Sequence, residues 1–329
     1  MRDVARKVGV SPMTVSRALR DDDTVSEQTR HKVRQVAREL GYVYDTTATA
    51  FRTAKSGFVA VLLPSLNNAN FADTFKGLSS GLEHTAVQLL LGSTNYAVKK
   101  EELLVSQLLT RNPQAIVLTG GHHTDETRRV LERRAIPVIE TWDMPTAPLG
   151  HVVGFRNADA MGEIVRHLAA SGREKLAFIG ATEGSDLRGL DRRRGVINAA
   201  KALGLPEVEI IEVGQAPITM TKGEEAITTL GAKVKDYDAL VCVSDPVAFG
   251  CLCACRRLGI NVPGDLAITG FGNFELAKIS VPRITTVDVS AMEIGSRTSE
   301  LLESIFASDS PMPLERHDVG FQLVVGETT

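Results

Sequence analysis

The sequence predicts a small all-α helix-turn-helix headpiece, followed by an α/β body of two parallel-sheet subdomains. Three observations carry this. Residues 1–43 hold short amphipathic helical patterns with polar caps and glycine stops. From Gly57 onward, strand-length apolar runs alternate with helical patterns. The alternation restarts after about residue 155, as if one α/β unit were followed by another. A length of 329 residues with 43% hydrophobic content suits about two domains with sizeable cores.

In the headpiece, Asp3 is placed to cap a helix through Val4, Ala5 and Val8 that stops at Gly9. Ser11 followed by Pro12 reads as cap and first helical position, where the missing N–H costs nothing. The second helix, Pro12 to about Arg20, buries Val15, Ala18 and Leu19 and leaves Pro12, Met13, Thr14, Ser16 and Arg17 outward. Ser26 opens a third helix with the stripe Val33, Val36, Ala37, Leu40 and the stop Gly41. Two short helices joined by Gly9-Val10-Ser11 and braced by a third make a helix-turn-helix unit.

Such a unit lays its second helix in the major groove of double-stranded DNA. The outward side chains suit that task. Thr14 and Ser16 offer hydroxyls to phosphates, Arg17 fits a guanine edge, and Met13 a thymine methyl, with Pro12 at the helix start. Charge leans the same way. Residues 1–56 carry 11 Lys/Arg against 7 Asp/Glu, while the rest carries 26 against 33, within a net charge of -3. A basic head on an acidic body hints at nucleic-acid contact, and chance is the competing account.

The run Asp3-Val4-Ala5, Gly9-Val10-Ser11, Thr14-Val15-Ser16-Arg17, Val25-Ser26, Thr29-Arg30, Val33 and Leu40-Gly41-Tyr42 resembles the headpiece of the lactose-repressor family of bacterial transcription regulators. The resemblance continues along nearly the whole chain. Pro64-Ser65-Leu66, Phe71-Ala72 and Val153-Gly154-Phe155 are most similar to the family's gluconate-utilisation repressors. The family implies a hinge helix over residues 44–56, ordering on the operator and pressing an apolar wedge into the minor groove. Phe51 stands at the wedge position, usually Leu; a plain linker with Phe51 packed on the body is the alternative. Tyr44 and Asp45 depart from the family's Pro-Asn, and the Thr-Leu/Ile pair usual before Asp3 is missing.

The expected strands of the body are Phe58–Leu63, Val87–Leu91, Ala115–Leu118 and Val138–Glu140, then Leu176–Ile179, Val208–Val213, Leu240–Val243 and Leu266–Ile268. Helical patterns fall between them, as at Thr74 to Ala86 and Glu163 to Ser171. The first subdomain spans about 57–155 and the second about 156–285; Ile284–Val289 and Val319–Val325 cross between them. This body, residues 57–329, is expected to bind the effector and to dimerise; it resembles the periplasmic sugar-binding-protein fold, whose ligand sits in the cleft between the halves. Independently, ligands gather beyond the carboxyl ends of parallel strands. That principle selects loops containing Asn70, Phe71, His123, Trp142, Asp245 and Asn273. Arg192, three residues before Gly195, matches the family's ligand-binding Arg. Trp142 suits stacking on a sugar face or interior packing, and His122-His123 suits ligand contact or a solvated loop. The family often has Asp where Gly272 stands, and Asn-Asp where Ser244-Asp245 stands. Losing the first carboxylate near Arg192, Arg193 and Arg194 tips the expectation toward an anionic ligand, such as gluconate or a phosphorylated sugar acid.

Other classes are weakly supported. Gly270-Phe-Gly272-Asn-Phe-Glu275 lacks the third glycine of a dinucleotide fingerprint, and no P-loop or Gly-x-Ser-x-Gly is present, so no enzyme and no cofactor is expected. Cys251, Cys253 and Cys255 on a helix fan to different faces, which disfavours a metal site. No apolar run is long enough to span a membrane, and Arg2-Asp3 does not open a signal peptide, so a cytoplasmic protein is expected. Without leucine heptads after the body, a homodimer is expected rather than a tetramer. Two readings remain: an effector-controlled DNA-binding repressor, or a carbohydrate-binding protein whose basic head does not read DNA.

Overall fold

The computed structural model describes residues 1–20, 22–42, 56–184 and 186–329. The chain divides into two compact units, Met1–Ser56 and Gly57–Thr329. Among the described residues no helix is long and apolar enough to cross a membrane.

The first unit contains α1 (Arg2–Val8), α2 (Pro12–Leu19) and α3 (Glu27–Glu39). Gly9 adopts a left-handed φ of 82° and ends α1, a conformation only glycine reaches without cost. The Ser11 side chain accepts from the Thr14 N–H and Ser26 from the Thr29 N–H, so α2 and α3 start at the expected caps. Asp3 does not cap α1. Met1 holds that position, and Asp3 lies in the first turn, where its charge still suits the helix dipole. Nine small apolar side chains, from Val4 to Ala37, form the core. Leu40 is not among them: at 44% exposed it stands outside the stripe, and Val25 from the loop fills the core instead. Phe51 and the expected hinge up to residue 55 lie outside the described residues.

The second unit is built on two parallel sheets. In the first, β1 (Phe58–Leu63) lies between β2 (Gln88–Ser93) and β3 (Ala115–Thr119). Then follow β4 (Val138–Thr141), β5 (His151–Gly154) and, at the far edge, β11 (Arg316–Asp318). In the second sheet, β6 (Leu176–Gly180) lies between β7 (Glu209–Glu212) and β8 (Ala239–Cys242), and β9 (Ala267–Thr269) follows β8. The central strands β1, β3, β6 and β8 are buried almost end to end, as strands covered by helices on both faces must be.

Two helices begin earlier than their apolar patterns suggest. Asn68 caps α4 (Ala69–Gly81) by accepting from the Asn70 N–H, and α7 starts at Asn157 and runs to Ala170. Polar first turns hide both starts. Helices α5 (Val98–Leu109), α6 (Asp125–Arg134), α8 (Leu187–Ala202), α9 (Met220–Leu230), α10 (Asp245–Arg257) and α11 (Glu275–Ile279) complete the alternation. After β10 (Thr286–Asp288) the chain returns to the first sheet through α12 (Ala291–Ala307) and β11, then comes back as β12 (Gln322–Val324). β12 pairs antiparallel with β10, so the two expected crossing segments lie side by side. Helix α12 lies so close to α4 that a Cβ on Gly295 would run into the Thr74 carbonyl. Cys242, Cys251 and Cys255 are buried in the core, where they pack as small apolar side chains.

Candidate functional site

The exposed face of α2 presents Pro12, Met13 and Arg17 to solvent, with Met13 60% exposed. Thr14 and Ser16 are half-buried. The Thr14 hydroxyl lies 2.9 Å from the Ser11 hydroxyl, within the cap rather than projecting from it. The backbone carbonyl of Ser16 accepts from Arg20 Nε at 3.1 Å, which fixes the end of the helix. Arg17, Met13 and Pro12 are the most exposed of the expected contact residues, with Thr14 and Ser16 partly exposed beside them.

In the body, the carboxyl ends of both sheets open on one cleft of about 320 Å³, within the range of small-molecule sites. The first turn of α4, which follows β1, supplies Asn70 and Phe71, and the loop after β4 supplies Trp142. Asp186, Arg188 and Arg192 come from the start of α8, and Phe271 and Phe274 from the loop after β9. Phe71, Trp142, Phe155 and Phe271 form a continuous row of edge-to-face and tilted aromatic contacts, with neighbouring ring centroids 5.0–6.1 Å apart. Trp142 is only 5% exposed, and its indole N–H donates to Thr74 Oγ1. Packing therefore accounts for this residue, which leaves a narrow edge on the cleft. Its backbone φ of 70° is strained for a bulky side chain, and Asn157 Nδ2 holds the Trp142 carbonyl in place.

Arg192 Nη1 donates to the Val243 carbonyl at 2.7 Å, Nε donates to the Arg188 carbonyl, and the guanidinium lies 4.5 Å over the Phe271 ring. Burial pushes its pKa down from the usual guanidinium range. Arg188 was not singled out from the sequence. It is 7% exposed and stacks between Phe71 and Tyr96. The one hydrogen bond its side chain makes among the described residues goes to the Thr119 carbonyl at 3.2 Å. That bond ties α8 to the end of β3, across the two halves. Burial, with the Asp186 charge next, pushes the Tyr96 hydroxyl pKa up, so a neutral phenol borders the site.

The residues expected at the cleft divide. Asn70, Phe71, Trp142 and Arg192 come together there. His123, Asp245 and Asn273 do not. The His123 side chain is fully buried behind β3, with Nδ1 2.6 Å from Glu101 and Nε2 3.2 Å from Glu140. Asp245 is turned inward, accepting from the Thr286 hydroxyl at 2.5 Å and the Phe274 N–H at 2.7 Å. Asn273 faces away and donates to Asp288 at 2.7 Å. In each case a partner on a neighbouring element, invisible in the local sequence, claims the side chain.

The expectation attached to Gly272 also changes. Its φ is 117°, its carbonyl accepts from Asn70 Nδ2 at 2.9 Å, and a Cβ would meet the Phe274 ring and Asn70. Asn70 and Phe274 thus fill the place of a side chain, and the cleft keeps a carboxylate in Asp186. Outside the cleft lining, His122 lies 3.5 Å from Asp191, and donor atoms of His122, Asp143 and Asp191 lie within 4.8 Å of one another. Arg194 already holds Asp191 at 2.7 Å, so ion pairing accounts for this cluster.

Burial pushes Asp245 up from 3.8 to about 7, against hydrogen bonds that favour its charged form. A raised carboxylate pKa contributes stability that is full below its unfolded value and lost as pH rises through the folded one. The body should therefore lose stability between about pH 4 and pH 7 through this group, by up to about 4 kcal/mol. Asp245→Asn, which keeps an acceptor for the Phe274 N–H, should flatten that slope in urea denaturation at successive pH values. An unchanged slope would assign it elsewhere.

Comparison with known proteins accords with this geometry. Residues 1–45 match the family described as bacterial regulatory proteins, lacI family, and residues 165–329 match a periplasmic binding protein-like domain. The chain is 35% identical to the HTH-type transcriptional regulator GntR of Pseudomonas aeruginosa, over 100% of this chain and 95% of that protein. It is 32% identical to the regulator of the same name from Escherichia coli K12, over 99% and 97%. A crystal structure of a LacI family transcriptional regulator from Silicibacter pomeroyi superposes with a TM-score of 0.93 at 30% identity, covering 99% of this chain and 98% of that one.

Proposed function

This chain belongs to the lacI family of bacterial regulatory proteins, and on that premise we propose that its cleft takes an anionic sugar derivative which sets the chain's grip on operator DNA. It is a DNA-binding transcriptional regulator. The ligand class proposed is a sugar acid such as gluconate, or a phosphorylated sugar acid. One observation carries this: Arg188 and Arg192 face Asp186 alone among the charged residues lining the cleft, so the described lining keeps an excess positive charge. The apolar wall of Phe71, Phe271 and Phe274 beside them strengthens charge-assisted hydrogen bonds by excluding water. The similarity to gluconate-utilisation repressors points the same way.

The proposal includes a cytoplasmic homodimer, because a palindromic operator takes two heads about one helical turn apart. Ligand control requires different affinities for the two DNA-binding states; a 100-fold change in operator affinity needs about 2.7 kcal/mol of coupling. The test is a gel shift on the DNA upstream of the chain's own gene and of its neighbours. A sequence-specific shift is expected, altered at least about tenfold by a sugar acid and unaltered by a neutral sugar. No shift on any fragment would favour a carbohydrate-binding protein whose head does not read DNA.

The headpiece carries its own prediction. Arg17→Ala should cost about 1–3 kcal/mol on the operator and relax sequence preference, if Arg17 reads a guanine. Ser16→Ala should weaken all sequences alike, because a phosphate contact carries no base information. Equal losses on operator and random DNA for Arg17→Ala would reduce that residue to a phosphate contact.

A further inference from the structure

We propose that Asp186 sets the ligand class within this cleft: it selects a monoanionic acid that carries a hydroxyl, and it rejects both unhydroxylated acids and phosphorylated sugar acids. The inference rests on the anion reading above and narrows it. Asp186 occupies the N-cap position of α8, yet its side chain makes no capping hydrogen bond. Its carboxylate stands at the cleft instead, 11% exposed, with Oδ2 3.9 Å from Arg192 Nη2. Oδ1 is buried and has no hydrogen-bond partner among the described residues. A carboxylate oxygen in that position is costly until a donor reaches it.

No neighbouring donor reaches it. The Tyr96 hydroxyl, whose pKa is pushed up by burial and then by the Asp186 charge, makes no hydrogen bond to Asp186 Oδ1. Arg188 Nη1 serves the Thr119 carbonyl, and Arg192 serves the carbonyls of Val243 and Arg188. A ligand hydroxyl fits the open oxygen, provided that the same ligand places its acid group on the guanidiniums. Charge then decides between the two kinds of sugar acid. Two guanidiniums against one carboxylate leave a single positive charge, which a monoanion closes. A phosphoryl group adds about −1.5 to −2 more, and Asp186 repels it.

The experiment is calorimetric titration of the full-length protein with gluconate, 6-phosphogluconate and hexanoate, for the wild type, Asp186→Ala and Asp186→Asn. The wild type should bind gluconate about 100-fold more tightly than hexanoate, because hexanoate leaves Oδ1 unpaired. It should bind gluconate at least about tenfold more tightly than 6-phosphogluconate. Asp186→Ala should bring gluconate to within about tenfold of hexanoate, because both acids are relieved of the same repulsion while gluconate alone loses its hydroxyl acceptor. Asp186→Asn keeps an acceptor and loses the charge, so it should close the gap between gluconate and 6-phosphogluconate. An unchanged gluconate-to-hexanoate ratio in Asp186→Ala overturns the inference and leaves the anion reading standing. So does tighter binding of 6-phosphogluconate by the wild type, which is read without any variant. Binding of glucose with none of the acids overturns the anion reading, and this inference with it.

Discussion

His123→Gln should destabilise the body by about 3–5 kcal/mol, measured by urea denaturation at pH 7, since removing one partner of a buried ion pair strands the other charge. His123 is fully buried between two carboxylates, and Glu140 is held in place on its other oxygen by the Leu149 and Gly150 N–H groups. Without the imidazolium, the buried Glu101 and Glu140 face each other with no cation between them. Burial alone would lower the His123 pKa. The hydrogen bonds to Glu101 and Glu140 outweigh it and raise the value from 6.5 to about 9. A raised histidine pKa gives stability that is full below about pH 6.5 and lost as pH rises through about 9, a window above that of Asp245. The wild type should lose stability across that window, and His123→Gln should not. Adding Glu101→Gln to His123→Gln should recover part of the loss, because one stranded charge is gone. A single variant within about 1 kcal/mol of wild type would mean the cluster is hydrated and contributes little.

The same histidine marks where sequence reading stops. The head could be read almost completely, because caps, a proline at the first helical turn and a left-handed glycine are local signals. The central strands could also be read, because a strand covered on both faces is a plain apolar run. Strands β5 and β11 could not. Arg316–Asp318 has no apolar pattern and becomes a strand only by pairing with Val152–Gly154. Strand ends located the cleft, but a position after a strand does not say which way a side chain turns. Asn70 and Phe71 turned in, while His123, Asp245 and Asn273 were claimed by Glu101 and Glu140, Thr286 and Asp288. Arg188 had a usable signal. It stands four residues before Arg192 on one helix, so both must share a face. The intervening spacing sends Arg193 to Glu212 and Arg194 to Asp191.

That shared face leads to the second large effect: Arg188→Ala should weaken binding of a sugar acid by about 100-fold or more, close to 2.7 kcal/mol. The two arginines differ in what their donors already serve. Arg192 spends Nε and Nη1 on backbone carbonyls, whereas Arg188 spends only Nη1 among the described residues. Arg188 therefore keeps more of its planar fork for a carboxylate, and charge-assisted bonds of that kind contribute about 1.5–3 kcal/mol each. Arg192→Ala should lose affinity too, but it also leaves the Val243 carbonyl without its donor and should lower the melting temperature. Arg188→Ala should leave the melting temperature closer to wild type, since the Thr119 carbonyl it releases lines a small cavity beside Arg188. Arg188→Lys should not restore affinity, because an ammonium offers a point charge in place of the fork and gives up the stacking between Phe71 and Tyr96. Calorimetry with gluconate and parallel melting curves on the three variants separate these roles. Wild-type affinity in Arg188→Ala, with loss confined to Arg192→Ala, would move the anion seat onto Arg192 and leave Arg188 as a tie between the two halves.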